Sequence, residues 1–304
     1  MVAMRKLTLS SVLALSLSMI SHLSFAQKLI PYPRPLPPDS GSLTFLPGIV
    51  SIDSFDFNAC FAPDGKSFYF SRNMNGFTKV FVTNYTGGNW GTPQPMPFSL
   101  TNYSDADPAF SPDGKLYFIS DRPANPSDTT PDYDIWYSSP QANGDWSAPV
   151  NVRRVNSDSN EYYVSFTGNG HMYFGSSRPG GFGQEDIYVS KLVKGEYTKP
   201  VNLGPAINTS KAEFDPFISA EENLLFFASS NRDGGFGGAD LYCSVRDKSN
   251  KWRKAANLGK NINTNTRDFC PYISADGKYF FFSSQRDVKW TNFSYLMSQV
   301  SKLW

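Results

Sequence analysis

The sequence predicts an all-β protein, a five-bladed β-propeller closed by a strand from its amino-terminal end. Three observations carry this prediction. An eleven-residue segment occurs five times, its copies are spaced at the length of a four-stranded blade, and turn-forming residues are frequent. The 23 Gly and 22 Pro are too many for long helices and indicate short strands joined by turns. A six-bladed ring is the second possibility, but no residues remain for a sixth repeat.

The amino-acid composition excludes some classes of binding partner. The 304 residues carry 28 Lys and Arg against 27 Asp and Glu, so the formal net charge is +1. This balance excludes a surface built for general phosphate capture, and we expect no nucleic-acid partner. The 25 Phe, 16 Tyr and 6 Trp can form a large apolar core.

The first residues have the pattern of a targeting segment. Arg5 and Lys6 precede an apolar run that ends at Ser24-Phe25-Ala26, which offers small residues at the positions a signal peptidase reads. We therefore expect a signal peptide over residues 1–26 and a protein that is periplasmic or secreted, with no membrane span after cleavage. Residues 27–42 read as a Pro-rich, extended arm, and residues 43–304 as the propeller domain.

Each repeat begins with an acidic residue. These acids are 49, 56, 52 and 55 residues apart, which fits one four-stranded blade and exceeds a leucine-rich or tetratricopeptide unit. They are Asp56, Asp105, Glu161, Glu213 and Asp268.

Within a repeat the pattern predicts four strands. Apolar residues alternate in the first strand until a turn such as Pro112-Asp113-Gly114. The second strand is apolar throughout, because blades pack face to face and bury it on both sides. The third follows an Asp-Ile-Tyr pattern, as at Asp186, and the fourth begins near an aromatic residue such as Trp146. Residues 43–49 precede the first repeat where other repeats carry a fourth strand, so we expect them to complete the last blade.

These motifs resemble the WD40-like β-propeller repeat of exported bacterial proteins, which is also seen in the TolB-type propeller. The D-P-x-F-S-P-D-G-K pattern is met at Asp107 to Lys115, Y-F-x-S-D-R at Tyr117 to Arg122, and G-G-F-G at Gly180 to Gly183. The resemblance covers about residues 43–304. It implies the fold, but such propellers serve as binding platforms and scaffolds and also occur in some hydrolase chains.

An arginine ends the second strand of every repeat and should lie beside the repeat acid, because antiparallel neighbours bring both to one end of the blade. A residue type present in all five blades is explained by what each blade needs, so we interpret these as structural ion pairs. The predicted pairs are Asp56–Arg72, Asp105–Arg122, Glu161–Arg178, Glu213–Arg232 and Asp268–Arg286.

Few residues suit catalysis. Of the two histidines, His22 falls in the predicted signal peptide and His171 lies at the opposite end from the ion pairs. A Ser-His-Asp triad or a His-ligated metal is therefore not expected, and we predict no metal or cofactor, with Ca²⁺ as the alternative. Cys60 and Cys270 fall in equivalent strands of the first and last blades, so either a disulfide joins them or they and Cys243 are buried free thiols.

Two residues after the repeat acid the blades differ, with Asn58, Asp107, Tyr163, Asp215 and Cys270. If these point into the channel, Asp107 and Asp215 could form an acid/base pair for glycoside chemistry or ligate Ca²⁺. Asp-Pro is also simply how these strands start. Loops on the same face carry Tyr133, Trp290, Phe182 and Phe236 as aromatic candidates. For Phe182 and Phe236, packing onto the neighbouring blade is the simpler explanation.

The symmetry of the charged positions favours a non-enzymatic module, a monomer that binds an envelope protein, a peptide or a glycan on its acid-bearing face. Ligand-binding candidates are Asn58, Asp107, Tyr163, Asp215, Tyr133 and Trp290. The alternative is a carboxylate-dependent, glycosidase-like enzyme acting through Asp107 and Asp215.

Overall fold

The computed structural model describes residues 30–99, 101–128 and 132–302, and it confirms the five-bladed propeller. The predicted signal peptide lies outside the described residues. In each blade the strands pair antiparallel, and the first strands of neighbouring blades contact one another around the ring. Strand β1 (Ser42–Thr44) precedes the first repeat and belongs to the last blade.

Blades one and two follow the predicted strand order. Blade one contains β2 (Asp56–Phe61), β3 (Ser67–Met74), β4 (Phe77–Thr86), β5 (Asn89–Trp90) and β6 (Gln94–Pro95), followed by a short 3₁₀ helix at Pro97–Ser99. Blade two contains β7 (Asp105–Phe110), β8 (Leu116–Ser120), β9 (Asp134–Ser138) and β10 (Val150–Asn151).

Blades three and four repeat this order, and blade three adds a small hairpin beyond its third strand. Blade three contains β11 (Glu161–Phe166), β12 (Met172–Ser176), β13 (Asp186–Ser190), the hairpin β14 (Leu192–Val193) with β15 (Glu196–Tyr197), and β16 (Val201–Asn202). Blade four contains β17 (Ala212–Ile218), β18 (Leu224–Ser230), β19 (Asp240–Val245) and β20 (Ala256–Asn257).

Blade five joins the two ends of the described chain. It contains β21 (Asp268–Ile273), β22 (Tyr279–Ser284) and β23 (Asp287–Asn292), and β1 pairs with β23 as its fourth strand. Phe45 continues the contact by donating its backbone N–H to Val288 O at 2.8 Å. The predicted closure by the amino-terminal strand is therefore present, and helix α1 (Phe293–Val300) follows β23.

One strand of blade five differs from the prediction. The segment carrying Trp290, predicted as a loop, is strand β23. The reason is a tight turn, because Gln285 and Arg286 both have positive φ (53° and 70°) and reverse the chain at once. Because this turn has only two residues, the third strand of blade five begins several residues earlier in the sequence than the repeat pattern predicts.

The second strand of each blade supplies the core by facing both neighbours. Phe226 packs in the cluster between blades four and five, whereas the adjacent Phe227 packs between blades three and four. The same alternation holds at Tyr117 and Phe118 of blade two. This explains the unbroken apolar runs, since neither face of these strands meets solvent.

The predicted arm packs against the ring. Ile30 is 5% exposed and lies in the cluster between blades five and one, together with Tyr32 and Leu36. Trp90 Nε1 donates to Pro31 O at 3.0 Å, and the Tyr32 hydroxyl donates to Asp276 Oδ1 at 2.7 Å. The arm therefore spans the junction that β1 closes. In the described part of the chain no helix has the length and apolarity to cross a bilayer.

Candidate functional site at the channel mouth

Each of the five innermost strands carries a β-bulge at the same position. The pairing register shifts there in all five blades, and the residue two after the repeat acid has a positive φ. These residues are Asn58, Asp107, Tyr163, Asp215 and Cys270, with φ of 63°, 53°, 40°, 51° and 50°. A bulge re-aims a side chain out of the regular alternation. The sequence position that varies between blades is therefore the position that the bulge turns toward the axis.

Side chains from opposite sides of the ring meet at this level. Cys270 Sγ lies 3.3 Å from Asp215 Oδ2 and 4.0 Å from Asp107 Oδ1. Asp215 also accepts the backbone N–H of Cys270 at 3.1 Å, and Asn58 Nδ2 donates to Asp107 Oδ1 at 3.4 Å. Both aspartates are 6% exposed. Four of the five ring residues thus form one cluster at the end of the channel that bears the repeat acids.

Two charged residues that the sequence analysis missed complete the cluster. Glu185 and Arg267 line the same 260 Å³ cavity as Asp107 and Asp215. Glu185 immediately precedes the third strand of blade three and Arg267 the first strand of blade five. A comparison across repeats would have found Glu185, because it is the single acid at its repeat position.

The carboxylate of Glu185 occupies space that a glycine provides. A Cβ on Gly175 would lie 2.7 Å from Glu185 Oε1. That oxygen is buried and accepts no hydrogen bond from the described residues. Glu185, a residue of the cavity lining, therefore has a buried acceptor without a donor.

The acids of the mouth are shifted toward their neutral forms. Burial, and then the charge of Asp215, raise the pKa of Asp107 to about 8. Burial raises the pKa of Asp215 to about 6, against the hydrogen bonds from Cys270 and the charge of Arg267. Burial and the two aspartates raise the pKa of Glu185 well above its usual value. Like charges in one low-dielectric cavity resist simultaneous ionisation.

Aromatic side chains form the walls of this cavity. They occupy the position directly after the repeat acid in four blades, as Phe57, Tyr162, Phe214 and Phe269. The guanidinium of Arg267 lies over Phe214 and Phe269, 5.8 and 5.9 Å from the ring centroids. The cavity is thus apolar at its sides and polar where the bulge residues meet.

Tyr163, predicted as a ligand-binding candidate, forms part of the closed interior. It is 3% exposed, and its hydroxyl donates to Pro271 O at 2.7 Å, across the channel from blade three to blade five. It lines a separate 90 Å³ cavity further along the channel with Cys60 and Tyr272. A ligand entering the mouth therefore meets the side chains of Asp107 and Asp215 before that of Tyr163.

The other two aromatic residues among the ligand-binding candidates, Trp290 and Tyr133, lie in different places. Trp290 is 1% exposed and packs against Tyr279 and Phe281 at 4.7 and 5.9 Å, so it is a core residue and not part of a surface loop. Trp290 is buried because the third strand of blade five begins early in the sequence and includes this residue. Tyr133 is half-buried and lies 5.7 Å from Tyr162, beside the wall of the cavity.

The repeat acids and arginines pair in four blades. The N–O distances are 2.5 Å for Arg72–Asp56, 2.5 Å for Arg122–Asp105, 2.9 Å for Arg178–Glu161 and 3.2 Å for Arg232–Glu213. The prediction is wrong for blade five, where Arg286 is exposed, lies in the tight turn and contacts the ring of Phe55 at 5.8 Å. Asp268 accepts hydrogen bonds from Thr264 instead.

The three cysteines are buried free thiols, which decides between the two alternatives for Cys60 and Cys270. Within residues 30–99, 101–128 and 132–302, no three His, Cys, Asp or Glu side chains are arranged to hold a metal ion. Ca²⁺ binding stays a prediction.

Solved structures share the fold at low sequence identity. The α-L-arabinofuranosidase PaAbf62A from Podospora anserina, solved in complex with cellotriose, has a TM-score of 0.52 and 13% identity over 84% of this chain and 97% of that chain. A thermostable family-43 glycoside hydrolase has a TM-score of 0.50 and 13% identity over 80% of this chain and 90% of that chain. At these identities the likeness shows the fold alone.

TolB from Acinetobacter baumannii has a TM-score of 0.48 and 13% identity over 79% of this chain. The alignment covers 54% of that TolB, so this chain spans about half its length. No protein-family model matches the sequence, and no curated protein matches it. Membership of the WD40-like family therefore stays a prediction.

Proposed function

We propose that this protein is an exported, non-enzymatic propeller that binds a protein, a peptide or a glycan of the cell envelope at the channel mouth. One observation carries the proposal. The residues that differ between blades, Asp107, Glu185, Asp215 and Arg267, converge on one cavity, whereas the acids and arginines common to the blades are mostly engaged in ion pairs. Blade-specific residues gathered in one concave, partly aromatic cavity are typical of a recognition site.

The contacts of Asp215 favour binding over catalysis. Its Oδ2 is engaged by both the backbone N–H and the sulfur of Cys270, which supports a structural use of this carboxylate. An oxygen that already accepts two hydrogen bonds is poorly placed to exchange a proton with a substrate. A general acid or base must reach the proton that it transfers.

A glycosidase-like enzyme is the second candidate, and the pKa values of the two aspartates favour it. Environments that hold Asp107 at about 8 and Asp215 at about 6 keep one acid protonated and the other largely ionised near pH 7. Separated pKa values of this kind suit acid/base pairs. The fold is compatible with both candidates.

The variants Asp107→Asn and Asp215→Asn test the proposal. Binding of the purified full chain to a glycan array and to candidate envelope proteins is measured for the wild type and both variants, with Glu196→Gln as a surface control. We expect intact folding and an affinity reduced by about 1–3 kcal/mol in the Asn variants, as for a lost hydrogen bond to a charged group. Polysaccharide cleavage by the wild type that either Asn variant abolishes would establish the enzyme in place of the binder.

A further inference from the structure

With its acids ionised, the mouth cavity has more hydrogen-bond acceptors than donors. Asp107, Glu185 and Asp215 contribute carboxyl groups, and Arg267 contributes the one cation among the residues that line it. Arg267 lies over the rings of Phe214 and Phe269, and its single charge also acts on Asp215 and Glu185. Glu185 Oε1 is buried without a donor among the described residues. Buried acceptors without donors are costly, so an occupant that donates hydrogen bonds is favoured.

The aromatic walls of the cavity favour one kind of hydrogen-bond donor over others. Phe57, Tyr162, Phe214 and Phe269 present aromatic rings to the cavity. The faces of such rings attract cations, and the rings also cover an alkyl stem. An aliphatic chain that ends in a positively charged nitrogen satisfies the walls and the carboxyl groups together.

Other occupants fit less well. Ca²⁺ requires six to eight oxygen ligands, and no three acidic, His or Cys side chains in the described ranges converge to hold an ion. A neutral sugar hydroxyl brings acceptors as well as donors and leaves the excess of carboxyl groups unbalanced. An ammonium group needs fewer oxygen acceptors than Ca²⁺, because it donates at most three hydrogen bonds and the faces of the aromatic rings also attract its charge.

We infer that the cavity at the channel mouth takes a primary ammonium group, presented by a lysine side chain or by the amino terminus of a peptide. The inference rests on the proposed function, because it assigns the chemical class of the ligand to the same binding face. Asp107, Glu185 and Asp215 are the acceptors, and the aromatic walls hold the alkyl stem.

Binding should release protons. An ammonium group attracts the ionised forms of the acids, whereas burial holds Asp107 at a pKa of about 8 and Glu185 well above its usual value. A lysine-type alkylammonium stays charged over this range, since its pKa is near 10, whereas the amino terminus of a peptide has a pKa near 8 and loses charge at the upper end. The affinity of the cavity for an ammonium ligand therefore rises between about pH 6 and pH 8, because protons then no longer compete with the ligand for the carboxylates. The other titratable groups facing these acids are Arg267, Cys270, Tyr133, Tyr162, Tyr163 and Glu213.

The test is titration calorimetry of the full chain with n-butylammonium chloride at pH 6 and pH 8.5. Neutral 1-butanol and CaCl₂ are the comparison ligands. Nα-acetyl-lysine amide and norleucine amide with a free amino group distinguish a lysine side chain from a chain terminus. We expect n-butylammonium and Nα-acetyl-lysine amide to bind, tighter at the higher pH, and 1-butanol and Ca²⁺ not to compete. Norleucine amide should gain less from the higher pH, because its amino group loses its proton near pH 8.

Two variants and a control connect binding to the cavity. Glu185→Gln removes one acceptor, and Gly175→Ala keeps the charge but displaces the carboxylate, because the new Cβ would lie 2.7 Å from Oε1. Both should weaken n-butylammonium binding at least about tenfold. Glu196→Gln changes an exposed residue, paired with Arg154 on the surface, and should leave affinity unchanged.

The outcomes separate the inference from the proposed function. Tighter binding of Ca²⁺ than of ammonium, equal binding of 1-butanol, or ammonium affinity that is independent of pH and of both variants overturns the inference. If a glycan or an envelope protein binds in the Asp107-dependent manner described above while ammonium probes neither bind nor compete, the proposed function stands and the ammonium assignment fails.

Discussion

At the scale of single residues, the strained backbone positions and the chemically distinctive ones coincide. Positive φ is tolerated best by Asn and Asp among residues with a side chain, which suits Asn58, Asp107 and Asp215. Tyr163 and Cys270 hold the same conformation although their side chains do not favour it. Their contacts with Pro271 and with the two aspartates are the interactions that fix them. Strain is retained where surrounding contacts over-determine the conformation.

The repeat arginines give a prediction with an internal control. Arg178→Ala should lower the free energy of unfolding by about 2–4 kcal/mol, because it leaves the fully buried Glu161 without its cation. Arg286→Ala removes the corresponding residue of blade five, which is exposed and forms no ion pair in the described structure, so its effect should stay within about 0.5 kcal/mol. Urea unfolding at pH 7 measures both. Equal losses in the two variants would contradict the structural role of the ion pair.

At the scale of elements, the Gly-Gly-Phe-Gly loops contact the next blade through their glycine backbone and not through their phenylalanine rings. The loop of blade three folds around Asp186, whose carboxylate accepts the N–H groups of Phe182 and Gly183. Phe182 and its counterpart Phe236 are 50% and 46% exposed, contrary to the expected packing onto a neighbouring blade. The close contact is made by Gly183, which lies against Lys211 O. The loops therefore display phenylalanine rings from a fixed backbone.

Substitution of this glycine tests the element. A Cβ on residue 183 would lie 1.7 Å from Lys211 O and 2.6 Å from Thr209 O, so Gly183→Ala must move the loop. We expect a loss of about 1–3 kcal/mol in stability, as for other overpacked sites. Gly91→Ala is the matched control, since its Cβ would meet its nearest neighbour, Asn84 O, at 3.4 Å. Thermal unfolding followed by circular dichroism compares the two, and a neutral Gly183→Ala would show that the loop adapts freely.

The same elements show why sequence reasoning reached some features and not others. The period of the repeat acids and the apolar second strands determine blade number and strand order, because every blade must satisfy the same packing. The length of each turn can differ between blades, because it depends on the residues of that turn alone. The repeat pattern therefore did not predict that β23 begins early and that Trp290 is buried. Asp107 and Asp215 were found because one repeat position was compared across blades. Glu185 and Arg267 were missed because their positions were not compared.

At the scale of the whole molecule, closure of the ring depends on the residues before the first repeat. Four junctions between blades are formed by consecutive repeats, whereas the fifth joins the two ends of the described chain. There β1 pairs with β23, and Phe45, with no exposure, packs between Phe68 and Phe281 at 4.7 and 5.1 Å. The arm adds Tyr32 and Ile30 to the same cluster. A propeller without this segment would expose a sheet edge and an apolar face.

Loss of the closing segment should therefore destabilise the whole ring. Deletion of residues 27–49 should lower the melting temperature of the whole domain, since the junction of blades five and one loses both β1 and the arm. Phe45→Ala separates packing from strand pairing and should cost about 3–5 kcal/mol in urea unfolding, as for a buried phenylalanine. Phe182→Ala makes the same chemical change at a half-exposed ring and should cost no more than about 0.5 kcal/mol. An unchanged melting temperature after the deletion would mean that the four remaining junctions hold the ring without a closing strand.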